Sequence, residues 1–344
     1  MNIQLGVFQI ATRGFVFPNH IYGREEELSA LHDAFEWASL GSTELVLLAG
    51  PAGIGKTALI QQAFKPSIVG KCHYASGKFD QIHSATPYEA LIRCFQHIIR
   101  SLLTLPDCEL KKWAAKLKEA VGPSGAVIAE VIPEVKVLLG EVEPYEDLPP
   151  AASGKRFEWV FRHFAQVFSQ ADFPLVLFLD DVQWADEASL RMMDSILSDP
   201  ECQYLLVIMA YRMQERHHNA PVHDHDRWLQ GKNNCLSVRR LFLESLPFLR
   251  VHKLVSESLQ CHPDECVSIA QTVYAKSTGN PHFIRHLFIR ANEEKAVYYD
   301  AVKRRWQWDL DKLAQLPDME GQLQYFIDRI ERLPASSKRL LVIG

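Results

Sequence analysis

The chain has 344 residues, 47% hydrophobic and 23% charged, the balance of an ordinary soluble globular protein with room for about two domains. Its net charge of −5, from 37 basic and 42 acidic residues, argues against a dedicated nucleic-acid surface, which would carry a basic stripe. No apolar run approaches the ~18 residues that span a bilayer. The opening MNIQLGVFQIATRGF lacks a basic region ahead of an apolar core and makes a poor signal peptide, so a cytoplasmic protein is expected.

In chain order, TELVLLAG (Thr43 to Gly50) reads as a buried parallel strand, because it is apolar throughout and ends in glycine. ALIQQAF continues as helix, and a weaker strand candidate lies in GKCHYASGKFD (Gly70 to Asp80). From Pro87 to about Leu139 the apolar residues recur at helical spacing. The acidic, proline-rich stretch from Glu141 to Gly154 reads as a surface loop, followed by helix in KRFEWVFRHFAQVFSQ. PLVLFLDD is a second buried strand, ASLRMMDSILSD a helix, and YLLVIMAYR (Tyr204 to Arg212) a third strand. After Gly231 strand signals fade and helix dominates. Alternating strands and helices predict an α/β fold: a parallel sheet with helices on both faces.

Seven cysteines, odd in number and never spaced C-x-x-C, read as reduced thiols rather than a disulfide framework. The apolar run LLVIG at the end is expected to continue into further chain.

GPAGIGKT (Gly50 to Thr57) matches G-x-x-x-x-G-K-[ST] in full, with a strand entering and a helix leaving. Gly50, Gly53 and Gly55 let backbone N–H groups turn inward as an anion nest, and the helix starting near Lys56 presents its positive end. Pro51, Ala52, Ile54 and Ala58 complete the phosphate-binding stretch. Lys56 is expected to reach the β- and γ-phosphates of ATP, and the Thr57 hydroxyl to ligate Mg²⁺. A chance glycine-rich turn is the bland alternative.

In LFLDDVQWAD (Leu177 to Asp186), the strand ends in two adjacent carboxylates. Asp180 fits the Mg²⁺-side acid, acting through a coordinated water, and Asp181 is placed to orient or deprotonate the attacking water. The cation and Lys56 would offset the repulsion of the pair. The competing reading makes Asp181 the cap of the next helix.

With these residues in view, the chain resembles a signalling P-loop ATPase of the STAND branch of AAA+-like proteins. In particular it is similar to the ATPase module of large bacterial kinases that carry a Ser/Thr-kinase-like domain before it and a sensor histidine kinase after it. The stretches that carry the resemblance include IYGREEELSAL, GPAGIGKTALI, ASGKFDQ, TPYEALIRCF, VIPEVKVLLG, RFEWVFRHF, PLVLFLDDVQWADEASL, LLVIMAYR, STGNPHFI and WQWDLDKL. It implies residues 1–20 as a linker, 21–232 as the P-loop NTPase domain with a helical insert at about 87–139, 233–332 as an α-helical lid, and 333–344 as the start of a winged-helix domain. It also implies that Tyr22, Gly23 and Arg24 run near the adenine, that Arg212 senses the γ-phosphate, and that Pro281 of GNPHF packs against the base in a lid that closes on nucleotide. Departures are Met213, Gln214 and Glu215 after AYR, where the family continues Asp-Asn-Glu. No arginine finger can be named, and Arg156 is only a weak candidate for a nearby sensor.

Other features have bland readings. His217, His218, His223, Asp224, His225 and Asp226 share no helical register and read as a polar loop rather than zinc ligands. Cys261 and Cys266 in CHPDEC lack the spacing of a zinc site, Trp306 and Trp308 fit a lid core or hairpin, and Lys111, Lys112, Lys116 and Lys118 a solvated helix face.

The expected function is an ATP-binding regulatory module with slow hydrolysis, its partners being ATP or ADP and the kinase-like and sensor histidine kinase domains of a longer chain, with self-association left open and no direct nucleic acid. The alternatives are a fast ATPase motor linked to nucleic acid or transcription, and a scaffold that has kept the fold without catalysis.

Overall fold

The computed structural model of the chain describes residues 17–18, 20–64, 70–80, 87–141, 149–212 and 237–318. The histidine-rich loop, Met213 to Glu215, and the expected winged-helix start lie outside the described residues. The chain divides into two compact units. One comprises Glu25–Ala52 and Lys56–Leu243; the other takes in residues up to Arg24, the loop tip Gly53–Gly55, and Glu244 onward.

The first unit is built on β1 (Thr43–Gly50), β2 (His73–Lys78), β3 (Leu175–Asp180), β4 (Leu205–Arg212) and β5 (Ser237–Phe242), which form a sheet in the order β2-β3-β4-β1-β5. Every described pairing in it is parallel. The three inner strands are apolar because both faces are covered: seven of the eight residues of β1 are buried. β5 lies beyond Gly231, where the sequence shows fading strand signals and mostly helix. Its SVRRLF sequence is hard to recognise because an edge strand, paired among the described residues with β1 alone, tolerates Arg239 and Arg240 in succession.

Helices α1 (Glu25–Ser39) and α2 (Lys56–Ala63) flank β1, and α3 (Glu89–Leu102) packs against β2. α3 buries Leu91, Cys94, Phe95, Ile98, Ile99 and Leu102, one stripe at helical spacing. Gly77 of β2 permits this contact, since a Cβ there would lie 2.3 Å from the Ala90 carbonyl oxygen. α4 (Asp107–Val121), α5 (Gly125–Val131), α6 (Lys136–Leu139) and α7 (Pro150–Gln166) follow. α7 starts five residues before the helix expected at Lys155, with Pro150 in the first turn, where its missing N–H costs nothing. Phe161, Phe164 and Phe168 surround Phe95 at centroid distances of 5.1, 5.5 and 5.8 Å. α8 (Glu187–Leu197) lies between β3 and β4 in sequence.

The second unit packs α9 (Phe248–Leu259), α10 (Val267–Ser277) and α11 (Pro281–Glu293) around Val251, Val255, Ile269, Val273, Ile284 and Leu287. An antiparallel hairpin of β6 (Val297–Asp300) and β7 (Arg305–Trp308) and the short α12 (Leu310–Gln315) complete it. Trp306 is buried in this core, edge-on to Tyr299 at 5.6 Å. Cys261 and Cys266 are joined as a disulfide, which corrects the reading of all cysteines as thiols. The turn after α9 folds back through residues 263–266 and brings the two Cα atoms to 6.7 Å, within bridging range. Cys72, Cys94, Cys108 and Cys202 remain thiols, outside any disulfide. Among the described residues no helix is long and apolar enough to cross a membrane.

Candidate functional site

The parallel register carries the site residues to one end of the sheet. Gly50, last residue of β1, pairs with Arg212, last residue of β4. Lys78, last residue of β2, pairs with Asp180, last residue of β3. The carboxyl ends of a parallel sheet are where such folds bind ligands.

From Gly50 the chain turns through Pro51, Ala52, Gly53, Ile54 and Gly55 into α2. Gly53 and Gly55 have φ of +72° and +101°, left-handed values open to glycine at no cost, so the turn from strand to helix is tight. Lys56 is buried, and its Nζ donates to the carbonyls of Gly50 (2.8 Å) and Pro51 (3.0 Å). Burial lowers its pKa; Asp180 and Asp181 pull it back up and Arg212 adds to the lowering.

The Thr57 hydroxyl donates to Oδ2 of Asp180 over 2.7 Å, while Oδ1 of Asp180 accepts the Asp181 N–H over 2.9 Å. A hydroxyl and a carboxylate in contact are hard oxygen donors of the kind Mg²⁺ takes beside substrate phosphates, so the residues present fit that ion. Neighbouring Ala58 is exposed in the first turn of α2.

Asp181 differs in every respect. It is 5% exposed and holds φ 54°, ψ 43°, a left-handed conformation that costs a non-glycine residue about 1 kcal/mol or more. Its side chain makes no cap bond to the 3₁₀ turn at 182–184; the helix that follows is capped by Asp186, which accepts from the Ser189 N–H at 2.8 Å. Instead Oδ1 of Asp181 accepts from Gln183 Nε2 (2.8 Å) and Arg212 Nε (3.0 Å). Oδ2 faces Lys78 Nζ (3.1 Å) and Arg212 Nη2 (3.4 Å). Burial pushes this carboxyl up, but the bonds from Gln183, Lys78 and Arg212 together outweigh it and hold it below the usual range. Gln183 also accepts the Arg212 N–H at 3.1 Å, which ties β4 to the turn after β3. Neither Lys78 nor Gln183 was singled out from the sequence. The signal for Lys78 is its place at the end of β2, legible only once β2 is aligned with β3.

Lys56, Thr57, Asp180, Asp181 and Arg212 thus come together in the first unit. Tyr22, Gly23, Arg24 and Pro281 belong to the second. Tyr22 is buried, its hydroxyl donates to Glu257 over 2.6 Å, and its ring lies 4.4 Å from that of His20. Burial raises its pKa, with Glu257 adding to the rise. Arg24 donates to the Glu244 carbonyl, and the side chain of Arg250 crosses Gly23. Pro281 opens α11, whose first N–H groups, of His282 and Phe283, are accepted by the Asn280 side chain at 3.1 and 3.3 Å. Arg156 is half-buried on α7.

A phosphate-type turn between β1 and α2, with acids closing β3 on the far side of β4, defines a P-loop NTPase fold. Residues 20–208, more than half of the chain, match the AAA ATPase domain family, and the chain belongs to it. It is 26% identical, over 99% of its length, to hybrid signal transduction histidine kinase G of Dictyostelium discoideum. It is 23% identical over 74% of its length to histidine protein kinase 1 of Candida albicans, and 20% identical over 86% to the peroxide stress-activated histidine kinase mak3 of Schizosaccharomyces pombe. The chain spans only 11%, 11% and 14% of those three proteins. Similar solved structures include Cdc6p of Pyrobaculum aerophilum (TM-score 0.46, 12% identity, 80% of this chain and 62% of that one) and the Orc1 protein of Aeropyrum pernix in complex with DNA (TM-score 0.47, 14% identity, 94% and 72%).

Proposed function

We propose that this chain is the ATP-binding regulatory module of a larger signalling protein of the histidine kinase type, hydrolysing ATP slowly and signalling its nucleotide state to attached domains. The observation that carries this reading is the pairing of Thr57 with Asp180 beside an Asp181 already bonded by Lys78, Gln183 and Arg212. The first pair suits a nucleotide-bound Mg²⁺, and the second arrangement suits slow turnover. The curated relatives are named as histidine kinases, and the chain covers a small part of each, as a module would.

In this reading the N–H groups of Gly50 to Thr57 cradle the phosphates and Lys56 neutralises the β- and γ-phosphates. Thr57 and Asp180 would hold Mg²⁺, which would supply positive charge beside the phosphates. Asp181 orients a water. The water oxygen attacks the γ-phosphorus, and one of its protons passes to the Asp181 carboxylate. The bond to the β,γ-bridging oxygen breaks with its electron pair leaving on ADP. Arg212 faces the γ-phosphate. Tyr22, Arg24 and Pro281 belong with the adenine, and the helical unit acts as the lid of a STAND-type switch.

The test is equilibrium ATP binding and turnover of the purified chain beside Lys56→Ala and Asp181→Asn. Tight binding with slow turnover is expected for the wild type, loss of binding for Lys56→Ala, and binding without turnover for Asp181→Asn. Turnover of many per second by the wild type would favour a motor. Binding that survives Lys56→Ala unchanged would refute the site.

A further inference from the structure

The first turns of α11 carry two histidines, His282 and His286, four positions apart and therefore on one face of the helix. Their Nε2 atoms lie 3.2 Å apart and their ring centroids 4.4 Å, with the planes tilted by 49°. Two neutral imidazoles meet at that distance by sharing one proton, which one Nε2 donates and the other accepts. If both rings instead carry their proton at Nδ1, each Nε2 keeps a lone pair, one on either side of the same gap.

That gap has the width of a chelate. An ion bound to both nitrogens at about 2.0–2.1 Å, the usual zinc–imidazole length, would subtend an angle of about 100° between them, close to tetrahedral. The backbone beneath is fixed, since the Asn280 side chain accepts the His282 N–H at 3.1 Å and Pro281 opens the helix. A pair held on a capped helix needs little ordering when it binds. Burial lowers the pKa of both rings, and the charge of Arg285 lowers both further, so at neutral pH they are in the uncharged form that ligates metals. The same Arg285 charge opposes an incoming cation and limits the affinity. Among the described residues no third His, Cys, Asp or Glu joins the pair, so water completes the coordination.

We propose that His282 and His286 form a two-imidazole site for a divalent transition-metal ion of the zinc, nickel or copper type, the ion taking the place of the shared proton. Imidazole nitrogen suits these ions, whereas Mg²⁺ takes oxygens such as those of Thr57 and Asp180, so the two sites select different cations. The proposal needs neither ATP nor turnover and goes beyond the nucleotide reading. Because the two ligands come from successive turns of α11, an ion that binds only the folded helix adds to the stability of the helical unit.

The experiment titrates the metal-free full chain with Zn²⁺ at neutral pH by calorimetry, beside His282→Gln and His286→Gln, and follows thermal unfolding with and without the ion. His217, His218, His223 and His225 stay in every variant and set a common background. A residue that merely orients a metal ligand is worth about 10- to 100-fold in affinity, so loss of either ligand should weaken Zn²⁺ binding by at least about tenfold. Both variants should fall alike, and Zn²⁺ should raise the melting temperature of wild type more than that of either variant. Acidification should weaken binding to wild type, because protons compete for the same Nε2 atoms, and a large excess of Mg²⁺ should leave it unchanged. His286→Phe, which keeps a ring against its neighbours, stands in if His286→Gln does not fold. Equal Zn²⁺ affinity in all three chains overturns the site and leaves the pair as a hydrogen bond between two histidines. A loss in one variant alone marks a single-histidine site and overturns the chelate.

Discussion

Arg212 and Asp181 meet side-on, Nε to Oδ1 at 3.0 Å and Nη2 to Oδ2 at 3.4 Å, although the two residues are 31 positions apart in sequence. The pair closes the gap between the ends of β3 and β4 and compensates a carboxylate that burial would otherwise penalise.

The two cations on Asp181 are therefore expected to differ in structural weight. Arg212→Met removes two bonds from a mostly buried carboxylate and should lower stability by about 1–2 kcal/mol in urea unfolding. Lys78→Met removes one exposed charge and should cost less than about 1 kcal/mol. The opposite order would make Lys78 the anchor of Asp181 and Arg212 the loose partner.

Asp180 and Thr57 touch each other, so the Mg²⁺ contribution should depend on both. Asp180→Asn is expected to reduce the gain in ATP affinity conferred by Mg²⁺ by about 10- to 100-fold, the range found when a residue holding a metal through its water is lost. Affinity measured in a chelator should change little. A variant that gains as much from Mg²⁺ as wild type would remove Asp180 from the metal's surroundings.

The phosphate loop, the inner strands β1, β3 and β4, and the paired acids were legible because each is written locally: a complete motif, continuous apolar runs, and charge where a buried strand ends. What the sequence hid depends on long-range pairing. Lys78 becomes part of the site only through the β2–β3 register, and Gln183 only because Asp181 turns into the left-handed region. β5 was hidden by Arg239 and Arg240, and the Cys261–Cys266 bond by a spacing that fits no familiar framework until the turn after α9 folds back. Pro150 looked like loop, yet it opens α7.

Gly279 holds φ +78°, and a Cβ there would lie 2.1 Å from the Leu246 carbonyl oxygen. The Leu246 N–H donates to the Gly279 carbonyl at 2.9 Å, so the two backbones cannot part without losing that bond. Gly279→Ala should destabilise the helical unit by at least about 2 kcal/mol and lower its melting temperature. An unchanged thermal transition would show that this junction yields easily.

The Cys261–Cys266 bond closes a short loop, for which chain-entropy reasoning gives about 2 kcal/mol. Reductant should lower the unfolding midpoint of the wild type and leave that of Cys261→Ser unchanged. Equal sensitivity of the two chains would trace the effect to other thiols.

His73 provides the clearest pH dependence. Its ring lies 5.2 Å from Trp113, 6.0 Å from Phe168 and 5.5 Å from Phe173, and its Nε2 has no hydrogen-bond partner among the described residues. Burial, helped by Lys116, lowers its pKa to about 4. The unfolded chain takes up this proton near pH 6.5 and the folded one near pH 4, so between those values unfolding is coupled to proton uptake. The neutral ring's advantage is intact above pH 6.5 and fades as pH falls toward 4, to a total on the order of 3 kcal/mol. His73→Phe keeps the aromatic packing and removes the titration. Its urea midpoint should therefore fall less than that of wild type between pH 7 and pH 5. Parallel decline in both chains would assign the acid sensitivity to other groups and leave His73 as packing alone.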